Sequence, residues 1–415
     1  MRGGAAGDSL RRWYGLAGFY AASFAALAVY LQFFPVWLRH ERGLGEAQIA
    51  VVLSAQTLAR TLAGPLWSHG VDRTGRPRAF LRGLALASVA ACALFGGVAS
   101  LPLLWCASFA FGAVYSPMHP ILDVLALQEG ARSGFAFGRV RLCGSVSFLV
   151  AVLAVGWWLG RAGESAVLPL LLGCLLATAL AGLVLPPGER EPGPVPPRVP
   201  WWALLRSPPF VLLLLASSLI QGSHALYYNL STVHWTANGL DHAEAGVLWA
   251  EGVLAEIVLF FVARGSVERL RPTTVMMLGG AAAVLRWVAL GEVTSFGGLL
   301  LANWLHGLSF GATYLGALRA LDRRVPAHQR ATAQGLLGAG SSGIGMVLGA
   351  LLGGFAYERW EGRAFLTMAA LALAGVGLAF VLRQKADRAQ TPLASSTQAN
   401  VANGQRGSSG GSSSA

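Results

Sequence analysis

Charged residues are scarce in this sequence, and their scarcity excludes most soluble folds. Only 12% of the 415 residues are Asp, Glu, Lys or Arg, whereas a soluble domain contains about a quarter. Hydrophobic residues make up 54%, and there are 53 glycines. So high an apolar content is typical of an integral membrane protein, whose side chains face lipid as well as one another.

Cysteine is also rare, and the four residues show no close pair spacing. They are Cys92, Cys106, Cys143 and Cys174. All four lie in apolar stretches, so neither a disulfide nor a metal site is predicted from them. The loops are short and contain no nucleophile motif, no metal-ligand spacing and no glycine-rich phosphate loop, which argues against a membrane enzyme or sensor. No cofactor is expected.

Long apolar runs make up most of the sequence. A window of about 20 apolar residues crosses ~30 Å of hydrocarbon, and the sequence contains twelve such windows. They lie near 13–38, 47–69, 79–99, 102–128, 138–160, 166–187, 209–235, 243–263, 273–291, 296–318, 332–356 and 363–383. They are too long and too continuously apolar for the alternating pattern of a membrane barrel. The predicted fold class is all-α, a polytopic membrane protein with twelve transmembrane helices.

The distribution of arginines predicts the orientation in the membrane. With both termini in the cytoplasm, the outer loops hold only five arginines, which are Arg39, Arg42, Arg161, Arg359 and Arg363. An excess of positive charge on the cytoplasmic side is the usual arrangement. The net charge of +12 is therefore assigned to membrane topology and not to nucleic-acid binding. A monomeric, multi-pass protein of the inner (plasma) membrane is expected, with the lipid bilayer as its surroundings.

A proline-rich segment divides the chain after six spans. Residues from Pro186 to Pro200 cannot continue a helix, because so many of them lack a backbone N–H. The predicted domains are a first six-helix half at 1–187, a cytoplasmic linker at 188–207 and a second six-helix half at 208–384. A disordered tail rich in Ser, Gly and Gln is predicted at 385–415. Such a pseudo-repeat places a site between the two halves.

Ionisable side chains within the spans are the candidates for that site. A charge at the bilayer centre costs on the order of 3 kcal/mol, so such groups pair with one another or face a watery cavity. The acids are Asp123, Glu251 and Glu256, and the bases are Arg60, Arg141 and Arg286. Three of each allow full charge pairing, as a proton-coupled carrier requires at rest. A carboxylate whose arginine contact is made and broken can load and release a proton.

Each of these candidates has a structural alternative. Asp123 ends one span and Arg141 opens the next, so they are expected at the same level, but they could form an ion pair that only joins two helices. Arg60 could extend toward the inner surface. Glu251 and Glu256 are five residues apart and point about 140° from each other on a helix, so only one is expected to face the cavity.

Two histidines and a tyrosine extend the candidate set. Imidazole titrates in the physiological range, so His224 and His306 could relay protons or contact substrate; packing is the alternative for each. Tyr228 could offer an aromatic face to a ring-bearing substrate, although aromatic side chains in membrane helices often face lipid.

The loop after the second span carries a recognisable signature. The run Asp72-Arg73-Thr74-Gly75-Arg76 resembles the cytoplasmic latch of the major facilitator superfamily. In that latch Asp72, Arg73 and Arg76 would pair across helix ends in one conformation and separate in the other, while Gly75 permits the tight turn. A purely topological arginine cluster is the alternative.

A more specific resemblance covers nearly the whole chain outside the linker and tail. The motifs Gln221-Gly222-Ser223-His224, Arg286-Trp287 and His306-Gly307-Leu308-Ser309-Phe310 resemble 3-phenylpropionate permease-type transporters, a branch related to the oligosaccharide:proton symporters. The resemblance implies the major facilitator fold and proton-coupled symport of a small organic acid, aromatic acids included, by alternating access.

The predicted proton-coupling residues are Asp123, Glu256 and His306, and the family match favours Glu256 over Glu251. The substrate-binding candidates are Arg60, Arg141, Arg286, His224, Tyr228 and Glu251. Departures occur at Cys143 and Tyr314, where Trp and a second His are usual, and at His119 and Glu251, where apolar residues are usual. A neutral sugar or nucleoside substrate, or export, therefore remains the alternative.

Overall fold

The structure is a computed structural model that describes residues 2–186, 201–266, 269–326 and 329–390. Within these ranges the regular structure is helical throughout, with no strand. Most of the predicted linker and the predicted tail beyond 390 lie outside the described residues. Inside the described ranges, a short helix occupies 201–205, and the last helix continues to Gln390. The domain boundaries stay a prediction.

The α-helices of the described chain fall into two sets, before and after the linker. The first set is α1 Arg2–Arg42, α2 Glu46–Thr74, α3 Pro77–Gly97, α4 Leu101–Tyr115, α5 Met118–Ser133, α6 Phe137–Ala162 and α7 Val167–Leu183. The second set is α8 Trp201–Leu205, α9 Pro208–Gly222, α10 Ala225–Ala237, α11 His242–Ser266, α12 Pro272–Glu292, α13 Phe296–Asn303, α14 Thr313–Arg324, α15 Arg330–Gly338, α16 Met346–Trp360 and α17 Phe365–Gln390.

Several membrane spans are interrupted rather than continuous. Helices α4 and α5 form one span broken before Pro117, which has no N–H to donate within a helix. Helices α9 and α10 form another span. Two further spans contain π-helical turns, Gly307–Ala312 between α13 and α14 and Ala339–Gly345 between α15 and α16. Counted with these breaks, the described helices form twelve spans, and the predicted all-α major facilitator fold is confirmed.

The two halves meet through equivalent pairs of helices. Helix α2 packs on α16, α6 packs on α11, and α1 packs on α10. Glycines permit the close approach: a Cβ at Gly246 on α11 would lie 2.8 Å from the carbonyl oxygen of Val152 on α6. A Cβ at Gly156 on α6 would likewise collide with the carbonyl oxygen of His242. Small residues at helix crossings are the usual means of tight packing in membranes.

Three polar contacts cluster at the same end of the bundle, and the first of them joins the two halves. Glu164, in the turn between α6 and α7, lies 3.1 Å from His242 Nε2 at the start of α11. His40, at the end of α1, lies 3.9 Å from the same carboxylate. Arg39 pairs with Glu46 beside them. This end is the one predicted to face away from the cytoplasm.

The contact between α6 and α11 predicts different effects for two glycines on one helix. Gly156→Val forces α6 away from His242, whereas Gly160→Val, one turn later, meets nothing within 4 Å. Overpacking costs about 1–3 kcal/mol, so G156V is expected to lower the Tm of the detergent-purified protein by about 1–4 °C. G160V should leave the Tm close to that of the wild type. Equal shifts for both variants would contradict this packing.

Candidate functional site

A cavity of about 460 Å³ lies between the two halves. This is within the usual range for small-molecule sites. Its walls come from α1, α2, α4, α5, α9, α10, α16 and both π-helical turns. The lining residues are Leu27, Tyr30, Leu31, Pro35, Leu53, Gln56, Thr57, Arg60, Tyr115, Ser116, His119, Pro120, Gln221, Tyr228, Asn229, Phe310, Ser342 and Met346.

Arg60 gives this cavity its charge. Among the described residues that line it, Arg60 is the one arginine, and none is Asp, Glu or Lys. Its Nη2 donates a hydrogen bond of 2.5 Å to the carbonyl oxygen of Ser342, in the π-helical turn of the second half. The bond therefore links the halves across the cavity. π-Helical turns are rare and occur frequently at functional sites.

Neutral polar groups and aromatic rings complete the cavity wall. Gln56 Nε2 donates to Ser116 Oγ at 3.0 Å. His119 Nε2 and Gln221 Oε1 are buried and have no hydrogen-bond partner in the structure. Both residues line the cavity, and each has a polar atom whose hydrogen-bonding capacity is unused. Tyr115 donates its hydroxyl proton to a backbone carbonyl, which turns the ring itself toward the cavity side.

A second polar cluster surrounds Arg286, which is completely buried. Its Nη1 donates to His306 Nδ1 at 2.7 Å, and its Nη2 donates to Asn303 Oδ1 at 2.8 Å. The guanidinium carbon lies 4.0 Å from the ring centre of Tyr227, a cation–π distance. These contacts replace much of the water that the charge has lost, while the buried Nε has no hydrogen-bond partner in the structure.

The donors of Arg286 fix the tautomer of His306. A guanidinium can only donate, so Nδ1 of His306 must accept and a neutral ring carries its proton on Nε2. That nitrogen lies 2.8 Å from Glu256 Oε1, to which it donates. Arg286 and Glu256 thus interact through the imidazole ring, and the Glu256 side chain is 26% exposed.

Two residues place this cluster beside the central cavity. Tyr228 lines the cavity, and its hydroxyl oxygen lies 3.5 Å from His306 Nε2. Phe310 also lines the cavity, and its ring is stacked on His306 with centres 5.7 Å apart. The cavity and the cluster are therefore separated by one layer of side chains.

The first half carries a looser pair. Asp123 on α5 and Arg141 on α6 approach to 3.7 Å, and the hydroxyl of Tyr20 donates to Asp123 Oδ1 at 2.5 Å. The Arg141 guanidinium also lies 4.3 Å from the ring centre of Phe24. Both ionised side chains remain more than one-third exposed. Neither is among the residues that line the cavity.

The remaining candidates differ in their surroundings. His224 is fully buried, with Nδ1 bonded to the Ile220 carbonyl at 3.0 Å and Nε2 accepting from Ser309 Oγ at 3.2 Å. These two bonds favour the packing alternative. Glu251 is 8% exposed, and neither of its carboxylate oxygens has a hydrogen-bond partner in the structure. Of the predicted substrate-binding set, Arg60 and Tyr228 line the cavity.

The predicted latch lies at the opposite end of the bundle from the cluster of three polar contacts. Gly75 ends α2 in the left-handed region, with φ of 66°, and its N–H bonds the carbonyl of Val71 at 2.8 Å. Asp72, Arg73 and Arg76 are exposed around it. The turn has the predicted geometry, and the latch role stays a prediction.

Sequence reasoning overlooked several polar contributors to the site. They are Gln56, Gln221, Asn229 and Asn303. Each is an uncharged amide inside an apolar span, and such a residue is itself a signal because burial requires a partner. The described residues contain no group of three His, Cys, Asp or Glu suited to a metal ion.

A bundle of broken membrane helices around a central polar cavity defines a membrane transporter. The model of the MFS_1 like family matches residues 13–368. The chain therefore belongs to this family of the major facilitator superfamily, and it is a transporter of small molecules and not an enzyme.

Curated relatives cover almost the same length. The chain is 28% identical over 368 residues to the "Probable 3-phenylpropionic acid transporter" of Escherichia coli (strain K12), covering 87% of this chain and 95% of the relative. It is 29% identical over 379 residues to the "Maltose permease" of Geobacillus stearothermophilus, covering 89% and 94%. The crystal structure of the nucleoside transporter NupG shares the fold, with a TM-score of 0.79, 17% identity, and coverage of 89% of this chain and 98% of that chain.

The different burial of the two arginines predicts unequal losses of stability. Arg286→Met removes the donor to Asn303 and His306 and leaves Glu256 without its counter-charge, which costs about 3–5 kcal/mol. Arg141→Met is the matched control, because its half-exposed pair contributes about 0–1 kcal/mol. Thermal unfolding of the purified variants should give a clearly lower Tm for R286M. A larger loss for R141M would contradict the assigned surroundings.

Proposed function

We propose that this protein is a proton-coupled symporter of a small organic acid, with aromatic monocarboxylates as the preferred class. The observation that carries the proposal is the central cavity, which combines one arginine with aromatic and aliphatic walls. A carboxylate would pair with Arg60, and a ring would pack against Tyr30, Tyr115 and Phe310. The relative named as a 3-phenylpropionic acid transporter supports this class.

Substrate binding would alter the connection between the halves. In this structure the Arg60 guanidinium donates to the Ser342 carbonyl oxygen at 2.5 Å. A carboxylate offers the guanidinium an opposite charge and two acceptor oxygens for a bidentate pair, whereas the carbonyl offers one neutral acceptor. Transfer of Arg60 from the carbonyl to the substrate therefore replaces a link between the halves with a link to the ligand.

Proton coupling is assigned to Glu256 and His306. Their hydrogen bond lies next to Tyr228, which faces the cavity. Protonation of Glu256 removes the charge that balances Arg286, and an anionic substrate in the adjacent cavity restores it. Proton and anion therefore favour each other's binding, which is the coupling that symport requires. Asp123 is proposed as a second proton-carrying group, since Arg141 and Tyr20 hold its carboxylate in a partly exposed position.

Alternating access follows from contacts at the two ends of the bundle. In the proposed cycle, the glycine-mediated crossing of α6 and α11, with Glu164 and His242 beside it, closes one end of the bundle. The latch residues Asp72, Arg73 and Arg76 would close the other end in the reverse state. In this proposal both termini and the latch face the cytoplasm, and a single chain in the inner membrane is sufficient.

A neutral sugar or nucleoside is the second candidate class. Three amides line the cavity, Gln56, Gln221 and Asn229, and the unpartnered His119 Nε2 lies among them. Such groups hydrogen-bond hydroxyls well. The relatives named as a maltose permease and a putative nucleoside transporter agree with this class.

Proton influx into sealed proteoliposomes separates the two classes. With 3-phenylpropionate added outside, an acid symporter should acidify the lumen faster than protein-free vesicles do. The protein-free control is essential, because the neutral acid crosses lipid unaided. The same assay with maltose and with a nucleoside tests the second class. Proton influx with maltose or the nucleoside, and none above the protein-free control with 3-phenylpropionate, would disprove the acid and support a neutral substrate.

Glu256→Gln is expected to separate transport from proton coupling. Glutamine can still accept the bond from His306 but cannot carry a proton, so uphill accumulation should be lost while exchange of internal for external substrate continues. Glu244→Gln is the matched control on the same helix, where a glutamine preserves the cap made with Asp241. If E256Q and Asp123→Asn both leave uphill uptake unchanged, proton coupling through these carboxyls is disproved.

Arg60→Gln is expected to weaken the binding of carboxylate substrates more than the binding of neutral ones. Loss of a charged hydrogen bond costs about 1.5–3 kcal/mol, so the KM for a carboxylate should rise about 10–100-fold. The KM or inhibition constant of the corresponding neutral amide should change little. Arg161→Gln, at the exposed end of α6, serves as the control. An equal effect on acid and amide would show that Arg60 does not recognise the carboxylate.

A further inference from the structure

A second, strongly basic cavity lies at one end of the second half. It measures about 640 Å³ and is formed by α8, the starts of α9 and α12, and the ends of α14 and α17. Five cationic side chains line it, which are Arg271, Arg323, Arg324, Arg383 and Lys385. None of the described lining residues is acidic, and none is shared with the central cavity.

Asp322, the acid next to the arginines of α14, does not line this cavity. Its carboxylate lies 3.9 Å from Arg330. Arg324 donates from Nη1 to the backbone carbonyl of Ala320, a neutral acceptor. Cations from α12, α14 and α17 thus converge on one space, and an anion there would relieve their repulsion.

Backbone dipoles add to the positive potential. Helix α9 begins beside the cavity at Ser207 and Pro208, and α12 begins there at Arg271 and Pro272. They are 15 and 21 residues long. The N-terminal end of a helix dipole is positive and attracts anions, although Pro208, Pro209 and Pro272 supply no N–H groups here. Two such ends and five cations therefore face the same space.

The surroundings indicate that the anion has an apolar part. Leu204, Phe210 and Leu382 line the cavity between the charges. Trp202, on the short helix α8, is 52% exposed next to them. Tryptophan concentrates at the membrane–water interface, where its ring meets both headgroups and acyl chains. A free phosphate ion would use the charges but not this apolar surface.

We propose that this cavity binds the phosphate headgroup of an anionic phospholipid from the cytoplasmic leaflet. The arginines and the two helix ends bind the phosphodiester, while the acyl chains leave along α8 and α17. Basic pockets between membrane helices are suited to such headgroups. The site holds α8 and the ends of α9, α12 and α17 together, so lipid occupancy stabilises the second half. It does not depend on the substrate of the central cavity.

The test measures thermal unfolding of the detergent-purified full chain during titration with short-chain phosphatidylglycerol. At about a hundredfold excess over Kd the Tm should rise by about 3 °C. Phosphatidylcholine of the same chain length should leave it within about 1 °C. In Arg323→Gln/Arg383→Gln the phosphatidylglycerol concentration at the midpoint should rise at least about tenfold, by loss of two charged contacts.

Controls separate this site from general effects of lipid and charge. Arg161→Gln/Arg359→Gln removes two arginines at the other end of the bundle and should keep the wild-type midpoint. Inorganic phosphate at the same concentration should produce no shift; a shift equal to that of phosphatidylglycerol would overturn the lipid assignment. Equal effects of the two lipids, or an unchanged midpoint in R323Q/R383Q, would overturn the site itself.

Discussion

Burial of the Arg286 charge is the constraint on which the second half depends. A guanidinium keeps its proton under all physiological conditions, so a membrane protein that encloses one must supply acceptors in fixed positions. Asn303 and His306 supply them from the same span, and the ring of Tyr227 covers one face. Because His306 must then present its remaining N–H to Glu256, a single buried cation orders three helices and sets the protonation of their histidine.

The two halves differ in how their intramembrane charges are paired and in how far those charges are exposed. In the first half, Arg141 and Asp123 stay partly exposed, and Tyr20 supplies a further hydrogen bond. In the second half, the charges are separated by an imidazole and are mostly buried. The partly exposed pair can rearrange at small cost, whereas the buried cluster changes only when its charge changes. This difference favours the second half as the proton-sensitive part of the proposed cycle.

The sequence predicted the fold well, because the cost of placing backbone and charge in lipid leaves few options. Apolar length determines the spans, and the same cost made each intramembrane charge conspicuous. It did not reveal which charges reach the cavity. Helix rotation decides this, and Arg60 lines the cavity while Arg286 lies one layer behind Tyr228. The π-helical turns that bring Phe310 and Ser342 into the wall depend on tertiary packing, and no apolar pattern marks them. The roles of the charged residues and the domain boundaries stay predictions.

The Ser342 carbonyl occupies a hydrogen-bond donor of Arg60 that a substrate would otherwise use. Any solute that uses Arg60 must exchange with a peptide oxygen that is held in place and never diffuses away. Neutral oxygen acceptors gain little from such an exchange, whereas a full negative charge gains more. The backbone carbonyl thus competes with any ligand for Arg60. A solute that carries only hydroxyls or amides gains little by displacing it, whereas an anion gains more.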